Sequence, residues 1–168
     1  MHPCRVLFIC TGNSARSILS EATLNHVGKG RFDALSAGSQ PSGRVHPAAL
    51  EQLAALGMST DGLASKSWDH FAQAGTPALD IVITVCDNAA NETCPALFGP
   101  FVKSHWGLPD PAATRDAEAL GEAFRKAHAL IIRRVTALLQ LPVETMPRDE
   151  LQQALDRIAT ITDDKATA

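Results

Sequence analysis

One stretch decides the fold of this 168-residue chain: Arg5-Val6-Leu7-Phe8-Ile9-Cys10-Thr11-Gly12-Asn13-Ser14-Ala15-Arg16-Ser17. The apolar run at 6–9 predicts a short, fully buried strand. Gly12 and Asn13 tolerate turn conformations that most residues resist, and from Arg16 onward apolar residues recur at helical spacing. The stretch therefore predicts a strand, a tight loop and a helix, with Cys10 at the carboxyl end of the strand.

A loop of this kind is suited to bind a tetrahedral oxyanion. Its backbone N–H groups can point inward, and the N-terminus of the following helix adds positive potential. Arg16 can donate two N–H groups to two oxygens of the anion. The same field favours thiolate over thiol at Cys10, and the Ser14 and Ser17 hydroxyls are close enough in sequence to donate to the sulfur. The pattern predicts thiolate attack on a bound oxyanion; a buried structural cysteine is the alternative.

Composition limits the classes of function that the chain can have. The 168 residues contain no internal repeat, which favours one principal domain. The formal net charge of −3 gives no general attraction to nucleic acid. Because no apolar run approaches about 18 residues and no signal-peptide pattern is present, we expect a cytoplasmic protein without a membrane partner. Four cysteines in such a chain favour metal binding or redox catalysis over a structural disulfide framework.

Strands and helices alternate along the rest of the chain. Apolar and β-branched runs predict strands at 32–37, 79–86 and 102–106, and apolar spacing predicts helices at 46–57, 68–74, 115–141 and 147–161. This alternation predicts an α/β fold, a three-layer sandwich in which a four-stranded parallel sheet carries helices on both faces. Pro142 ends the long helix and divides a main domain, 1–141, from a C-terminal helical extension, 142–168.

Three chemically active residues fall at or just after predicted strand ends: Cys10, Cys86 and Asp110. Ligands of parallel sheets bind outside the carboxyl ends of the strands, where the strand order reverses. We therefore expect these three side chains to meet at one edge of the sheet.

The pair Cys86 and Cys94 admits three interpretations. A structural zinc site needs four ligands at spacings such as C-x2-C, and this pair is separated by seven residues without a matching second pair. Two unrelated buried cysteines are the second interpretation. The third is redox exchange, in which Cys86 attacks the sulfur of Cys10 and Cys94 then attacks Cys86.

These segments together resemble a known family. Residues 5–17 resemble the phosphate-binding loop of the low-molecular-weight protein tyrosine phosphatases and of the thiol-dependent arsenate reductases that share their fold. The similarity to the arsenate reductase branch covers roughly residues 5–141 and is carried by three further segments: Val85-Cys86-Asp87-Asn88-Ala89-Ala90, Cys94-Pro95, and His105-Trp106-Gly107 with Asp110-Pro111.

The resemblance implies a reaction and a role for each residue. Cys10 is implied as the nucleophile, and Cys86 and Cys94 are implied to shuttle a disulfide outward while arsenate is reduced to arsenite for arsenic detoxification. Asp110 matches the family's general acid. The implied oxyanion-binding residues are Thr11, Gly12, Asn13, Ser14, Ala15, Arg16 and Ser17, and phosphate or sulfate is expected to mimic arsenate there.

The resemblance also implies an external thiol reductant rather than a tightly bound cofactor. The gap between Cys86 and Cys94 is one residue longer than in the best-known thioredoxin-coupled members. The expected partner is therefore either thioredoxin, or glutathione or mycothiol together with a glutaredoxin-type protein.

The alternative function is that of a low-molecular-weight protein tyrosine phosphatase, which hydrolyses phosphomonoesters. That reaction needs Cys10, Arg16 and Asp110 but neither Cys86 nor Cys94. Phosphatases of this fold usually follow the Asp-Pro pair with tyrosine, whereas Ala112 stands here and the chain has no tyrosine. A small inorganic oxyanion therefore fits better than an aryl phosphate. A third possibility is a binding or redox-sensing module that uses the loop without turnover.

Other polar residues carry weaker signals. Arg133 and Arg134 predict a solvated helix face, and His105 predicts loop or core packing rather than a ligand. Glu21 and Ser36 are candidates for a monovalent cation site beside the loop, as in some relatives. No pair of histidines has metal-ligand spacing, so no metal site is expected.

Overall fold

Four parallel strands form one sheet in the computed structural model, which describes residues 3–72, 76, 78–86, 101–113 and 116–162. The strands are β1 Cys4–Cys10, β2 Phe32–Gly38, β3 Ile81–Thr84 and β4 Val102–His105, in the order β2-β1-β3-β4. β1 pairs with β2 along its whole length and with β3 through residues 6–9. The fully buried run at 6–9 is thus the centre of the sheet, which confirms the interpretation of that stretch.

Helices flank the sheet, and the predicted α/β fold class is confirmed. The helices are α1 Arg16–Val27, α2 Pro47–Ala55, α3 Ala117–Leu139 and α4 Arg148–Ile158, with short 3₁₀ turns at Trp68–Phe71 and Pro111–Ala113. α1 packs on β1, β2 and α3, and α4 packs on β4. None of the helices in the described part of the chain is long and apolar enough to cross a membrane.

Several element boundaries differ from those predicted. β3 is shorter than the predicted strand 79–86 because only residues 81–84 have ladder partners on β1 and β4. α3 begins after Asp116, whose side chain accepts the N–H of Ala119 at 3.0 Å and caps the helix. Of the predicted helix at 68–74, the first four residues form the 3₁₀ turn Trp68–Phe71, and residues 73 and 74 lie outside the described residues.

α4 covers the outer edge of β4, where an exposed strand would leave backbone groups unpaired. The Gln152 amide donates to the Lys103 carbonyl at 2.7 Å, and the Ser104 hydroxyl donates to Asp156 at 2.8 Å. The Trp106 indole N–H donates to the Leu155 carbonyl at 3.0 Å. The C-terminal helix is therefore bonded to the strand that precedes the Asp110 loop; the boundary between residues 141 and 142 stays a prediction.

A buried histidine joins three helices in the core. The Gln52 amide lies 3.0 Å from His128 Nδ1, and Thr23 Oγ1 lies 2.8 Å from His128 Nε2. Because an amide N–H donates to Nδ1, the neutral ring carries its proton on Nε2 and donates it to Thr23. Burial lowers the pKa of His128 to about 4, so the imidazole is neutral near pH 7.

We expect the folded state to lose stability as the pH falls from about 6.5 to about 4, because the unfolded chain then binds a proton that folded His128 does not. At about 1.4 kcal/mol per pKa unit, the loss in unfolding free energy is on the order of 3 kcal/mol. Urea unfolding across this pH range measures it. His128→Asn should flatten the pH dependence, and His26→Asn, at an exposed position on α1, should not. Equal slopes for wild type and His128→Asn would contradict the assignment.

Candidate active site

The Cys10 sulfur lies at the carboxyl end of β1 with two polar groups close to it. The Asn13 N–H donates to Sγ at 3.2 Å, and Ser17 Oγ lies 3.0 Å from Sγ. The Asn13 side-chain amide donates to Ser17 Oγ at 2.8 Å, so the hydroxyl has its own proton left to donate to the sulfur. Hydrogen bonds donated in this way stabilise negative charge on the sulfur.

The loop after Cys10 is held from outside through its carbonyl groups. Three of them accept backbone N–H groups of the segment 40–46 at 2.9 Å each: those of Thr11, Gly12 and Ser14, from Gln40, Ser42 and His46. The C=O and N–H of one trans peptide point in opposite directions. The N–H groups of residues 12, 13 and 15 are therefore turned away from that segment, as oxyanion binding requires.

Asn13 fixes the shape of this loop. It is the one non-glycine residue with positive φ, +47°, among the described residues, and it is fully buried. Its side-chain oxygen accepts the Lys66 N–H at 2.7 Å. Gly38 at the end of β2 permits the close approach, since a Cβ there would stand 2.4 Å from the Thr11 carbonyl oxygen. The sequence indicated the turn propensity of Asn13 but none of these contacts.

Replacing Asn13 by alanine should lower the free energy of unfolding by on the order of 3 kcal/mol. A left-handed conformation costs alanine about 1–2 kcal/mol, and the N–H of Lys66 loses its partner at a cost of about 1–3 kcal/mol. Asn13→Gly tolerates the conformation but also loses the amide. Its free energy of unfolding should therefore lie between those of wild type and Asn13→Ala. Urea unfolding of the three proteins measures both contributions. Equal stability of wild type and Asn13→Ala would show that the amide does not hold the loop.

Arg16 is the first residue of α1 and reaches across to the loop that carries Asp110. Its Nη1 donates to the Leu108 carbonyl at 3.1 Å, and its Nη2 lies 3.8 Å from Asp110 Oδ2. Asp110 Oδ1 accepts the Ala112 N–H at 3.0 Å. Of the three side chains predicted to meet at this edge, Cys10, Cys86 and Asp110, the last therefore lies beside Arg16 of the loop that follows Cys10.

Cys86 lies just beyond β3 and contacts the residue next to Cys10. The Thr11 N–H donates to Cys86 Sγ at 3.3 Å, and Thr11 Oγ1 lies 3.5 Å from the same sulfur. No disulfide joins Cys4, Cys10 and Cys86 to one another. Cys94 lies outside the described residues, so its predicted role stays a prediction. The contact through Thr11 is a feature for which the sequence carried no signal.

A cavity of about 730 Å³ opens beside these groups. The residues that line it are Arg16, Cys86, His105, Gly107, Leu108, Pro109, Asp110 and Ala159. His105 at the end of β4 is held by Thr84, whose Oγ1 lies 2.7 Å from His105 Nδ1. No phenylalanine, tyrosine or tryptophan is among the described residues of its wall.

The cation-site candidates Glu21 and Ser36 lie together behind the loop. The Ser36 hydroxyl donates to the Glu21 carboxylate, and Lys66 Nζ lies 3.9 Å from the same carboxylate oxygen. Burial raises the pKa of Glu21, and the Ser36 hydrogen bond and the Lys66 charge oppose this. An ammonium group of the protein thus lies near Glu21, and monovalent cation binding stays a prediction. The described residues contain no group of three or more His, Cys, Asp or Glu side chains that could hold a metal ion.

The prediction of a solvated face at Arg133 and Arg134 is wrong for Arg134. This guanidinium is 3% exposed and donates to main-chain carbonyls, including that of Trp106 at 2.9 Å. The helical spacing could have shown this, because position 134 lies three residues after Ile131 and four before Leu138, both buried.

Sequence comparisons find a matching protein family and a similar curated protein. The sequence profile of the low molecular weight phosphotyrosine protein phosphatase family matches residues 5–154. An arsenate reductase of Halalkalibacterium halodurans is 30% identical over 131 residues, which cover 77% of this chain and 91% of that protein.

Two similar solved structures are arsenate reductases. An arsenate reductase in the phosphate-binding state superposes with a TM-score of 0.67 at 27% identity, over 82% of this chain and 97% of the other. A thioredoxin-dependent arsenate reductase of Corynebacterium glutamicum superposes with a TM-score of 0.60 at 26% identity, over 84% of this chain and 62% of the other.

Proposed function

The chain belongs to the low molecular weight phosphotyrosine protein phosphatase family, and from this premise we propose that it is an arsenate reductase that produces arsenite for arsenic detoxification. The observation that carries the proposal is the contact between Thr11 and the sulfur of Cys86 at 3.3 Å. Phosphate-ester hydrolysis has no use for a second thiol beside the nucleophile. Reduction requires a second thiol, because two electrons must pass from thiols to arsenic, and Cys86 supports a source within the chain.

In the first step, arsenate lies in the loop formed by residues 11–17. Inward N–H groups and the Arg16 guanidinium bind its oxygens. The Cys10 thiolate attacks arsenic, a sulfur–arsenic bond forms, and one oxygen leaves as water with a proton from Asp110. The position of Asp110 Oδ2, 3.8 Å from Arg16 Nη2, supports this role because the guanidinium would hold the same anion.

In the second step, the Cys86 thiolate attacks the Cys10 sulfur. A Cys10–Cys86 disulfide forms, the sulfur–arsenic bond breaks, and its electron pair reduces arsenic to arsenite. Cys94 then attacks Cys86 and releases the Cys10 thiolate. An external dithiol reduces the Cys86–Cys94 disulfide and supplies the two electrons for the next cycle.

The reductant is a thiol system, and we propose thioredoxin as the first candidate. A similar solved protein, that of Corynebacterium glutamicum, is thioredoxin-dependent. Glutathione or mycothiol with a glutaredoxin-type protein is the alternative, because the gap between Cys86 and Cys94 is one residue longer than in the best-known thioredoxin-coupled members.

The side chains that line the cavity favour a small inorganic substrate. Arg16, His105 and Asp110 give it polar groups, and the described wall offers no large aromatic side chain on which an aryl ester could stack. Hydrolysis would need only Cys10, Arg16 and Asp110, and the Asp110 carboxylate 3.8 Å from Arg16 supports that route as well. We therefore expect slow aryl phosphate hydrolysis beside the main reaction.

Coupled turnover tests the proposal. The reduced full-length enzyme is given arsenate with thioredoxin, thioredoxin reductase and NADPH; parallel assays contain glutathione or mycothiol with a glutaredoxin-type protein. We expect arsenate-dependent consumption of NADPH and one arsenite per NADPH in at least one assay. Hydrolysis of p-nitrophenyl phosphate without arsenite in any assay would establish the phosphatase instead. Arsenate binding without either reaction would establish a binding module.

A further inference from the structure

Arg134 on α3 joins two segments that are far apart in sequence. Four main-chain carbonyls accept its N–H groups: those of Trp106 and Gly107 at 2.9 and 3.0 Å, and those of Ala159 and Ile161 at 3.4 and 2.9 Å. The Trp106 and Gly107 carbonyls lie at the start of the loop that carries Asp110. The Ala159 and Ile161 carbonyls follow α4. One buried guanidinium therefore connects the Asp110 loop to the C-terminal segment.

Beyond the bond from the Trp106 N–H to the Thr84 carbonyl at 2.8 Å, side-chain donors hold the Asp110 loop. Pro109 and Pro111 have no N–H and cannot anchor the loop through the backbone. Arg16 holds its middle through the Leu108 carbonyl at 3.1 Å, and Arg134 holds its start at Trp106 and Gly107. Two arginines thus fix the peptide planes on both sides of Leu108, next to the residue proposed as the acid.

The C-terminal segment is also part of the site. Ala159 lines the cavity together with Arg16, Cys86 and Asp110. The indole of Trp106 donates to the Leu155 carbonyl at 3.0 Å, which ties α4 to the same loop. Two hydrogen bonds through Arg134 thus connect the end of α4 to Gly107, three residues before the proposed acid.

We infer that Arg134 is a positioning residue that holds the Asp110 loop against the C-terminal segment and thereby places the acid opposite Arg16. The inference rests on the proposed role of Asp110 in the arsenate reaction. Arg134 does not touch the reacting atoms; it acts through the Trp106 and Gly107 carbonyls. Without the guanidinium the buried Trp106 carbonyl and the half-buried Gly107 carbonyl lose this donor, and the loop is expected to open more often.

The first test is hydrogen exchange of the full-length protein, which needs no turnover. Arg134→Met should raise amide exchange in peptides covering 105–113 and 155–162 together, by about tenfold. Arg133→Met is the matched control: it removes the same charge from the same helix, and Arg133 donates to the Thr162 carbonyl at 2.6 Å. The control should leave exchange in 105–113 unchanged. Arg134→Lys, which keeps the charge, serves if the methionine variant does not fold and should give an intermediate effect.

The second test asks whether Arg134 acts through Asp110. Arg134→Met should lower kcat about tenfold in wild type and cause no further loss in an Asp110→Asn background, because the two residues then serve one step. If the chain turns over only aryl phosphate, the cycle is measured on that reaction, since Asp110 donates the proton there too. The arsenate assay alone therefore decides the proposed function.

Unchanged exchange in 105–113 would overturn the inference whatever the substrate. Multiplicative losses in the double variant would also overturn it, because Arg134 would then act independently of the acid. Faster exchange in both segments together with non-additive losses of kcat would support it.

Discussion

Replacing Cys10 by serine is expected to abolish both arsenate reduction and aryl phosphate hydrolysis. The sulfur has Asn13 N–H at 3.2 Å and Ser17 Oγ at 3.0 Å, so its negative charge is stabilised where it must attack. A serine hydroxyl in the same place ionises far less readily and is a weaker nucleophile toward arsenic. Arsenite production should fall below detection. Chromatographic assay of arsenite over many enzyme equivalents of arsenate measures this.

The matched control is Cys4→Ser at the other end of the same strand. Burial raises the pKa of the Cys4 thiol to about 12, so this thiol is not ionised near pH 7 and is not used by the proposed chemistry. Its serine variant should turn over like wild type. Calorimetric titration with inorganic phosphate should show that Cys10→Ser still binds the anion, because the loop N–H groups and Arg16 remain. Arsenite turnover by Cys10→Ser would rule out the proposed nucleophile.

The centre of the fold could be predicted because local patterns and tertiary packing agree there. The run 6–9 is apolar on both faces, as a strand of a sheet that is buried on both faces must be, and Arg16–Val27 follows as a helix. Strand order could not be predicted, since pairing between β1 and β3 joins residues 75 positions apart. The ends of β3 also depend on that pairing rather than on the composition of residues 79–86.

Candidate site residues could be predicted where the order of residues along the chain indicates them. Contacts that depend on tertiary packing could not be predicted. Cys10, Arg16 and Asp110 follow from strand ends and from the loop pattern. The position of Cys86 at the same edge follows from its strand end in the same way, but its contact with Thr11 depends on how β3 lies beside β1, which no local pattern encodes. Arg134 was missed because charge predicts exposure, although its position on α3 matches the buried stripe that includes Ile131 and Leu138.

The variants Cys86→Ser and Cys94→Ser should stop the reaction at two different stages. Without Cys86, the arsenate adduct on Cys10 should form but release no arsenite, because the thiol beside Thr11 is gone. Without Cys94, about one arsenite per enzyme should be released, and the protein should stall with Cys10 and Cys86 joined. Arsenite per enzyme in a single-turnover experiment, with mass spectrometry of the trapped disulfide, distinguishes the two stages.

Two comparisons make this result decisive. Hydrolysis of p-nitrophenyl phosphate should persist in both variants, because that route needs the loop, Arg16 and an acid but no second thiol. Cys4→Ser should complete many turnovers, which shows that loss of a thiol does not by itself stop the enzyme. If both variants completed many turnovers with thioredoxin as the sole reductant, the internal shuttle would be wrong. The thiol that resolves the Cys10 adduct would then have to come from outside the chain, and the contact between Thr11 and Cys86 would need another explanation.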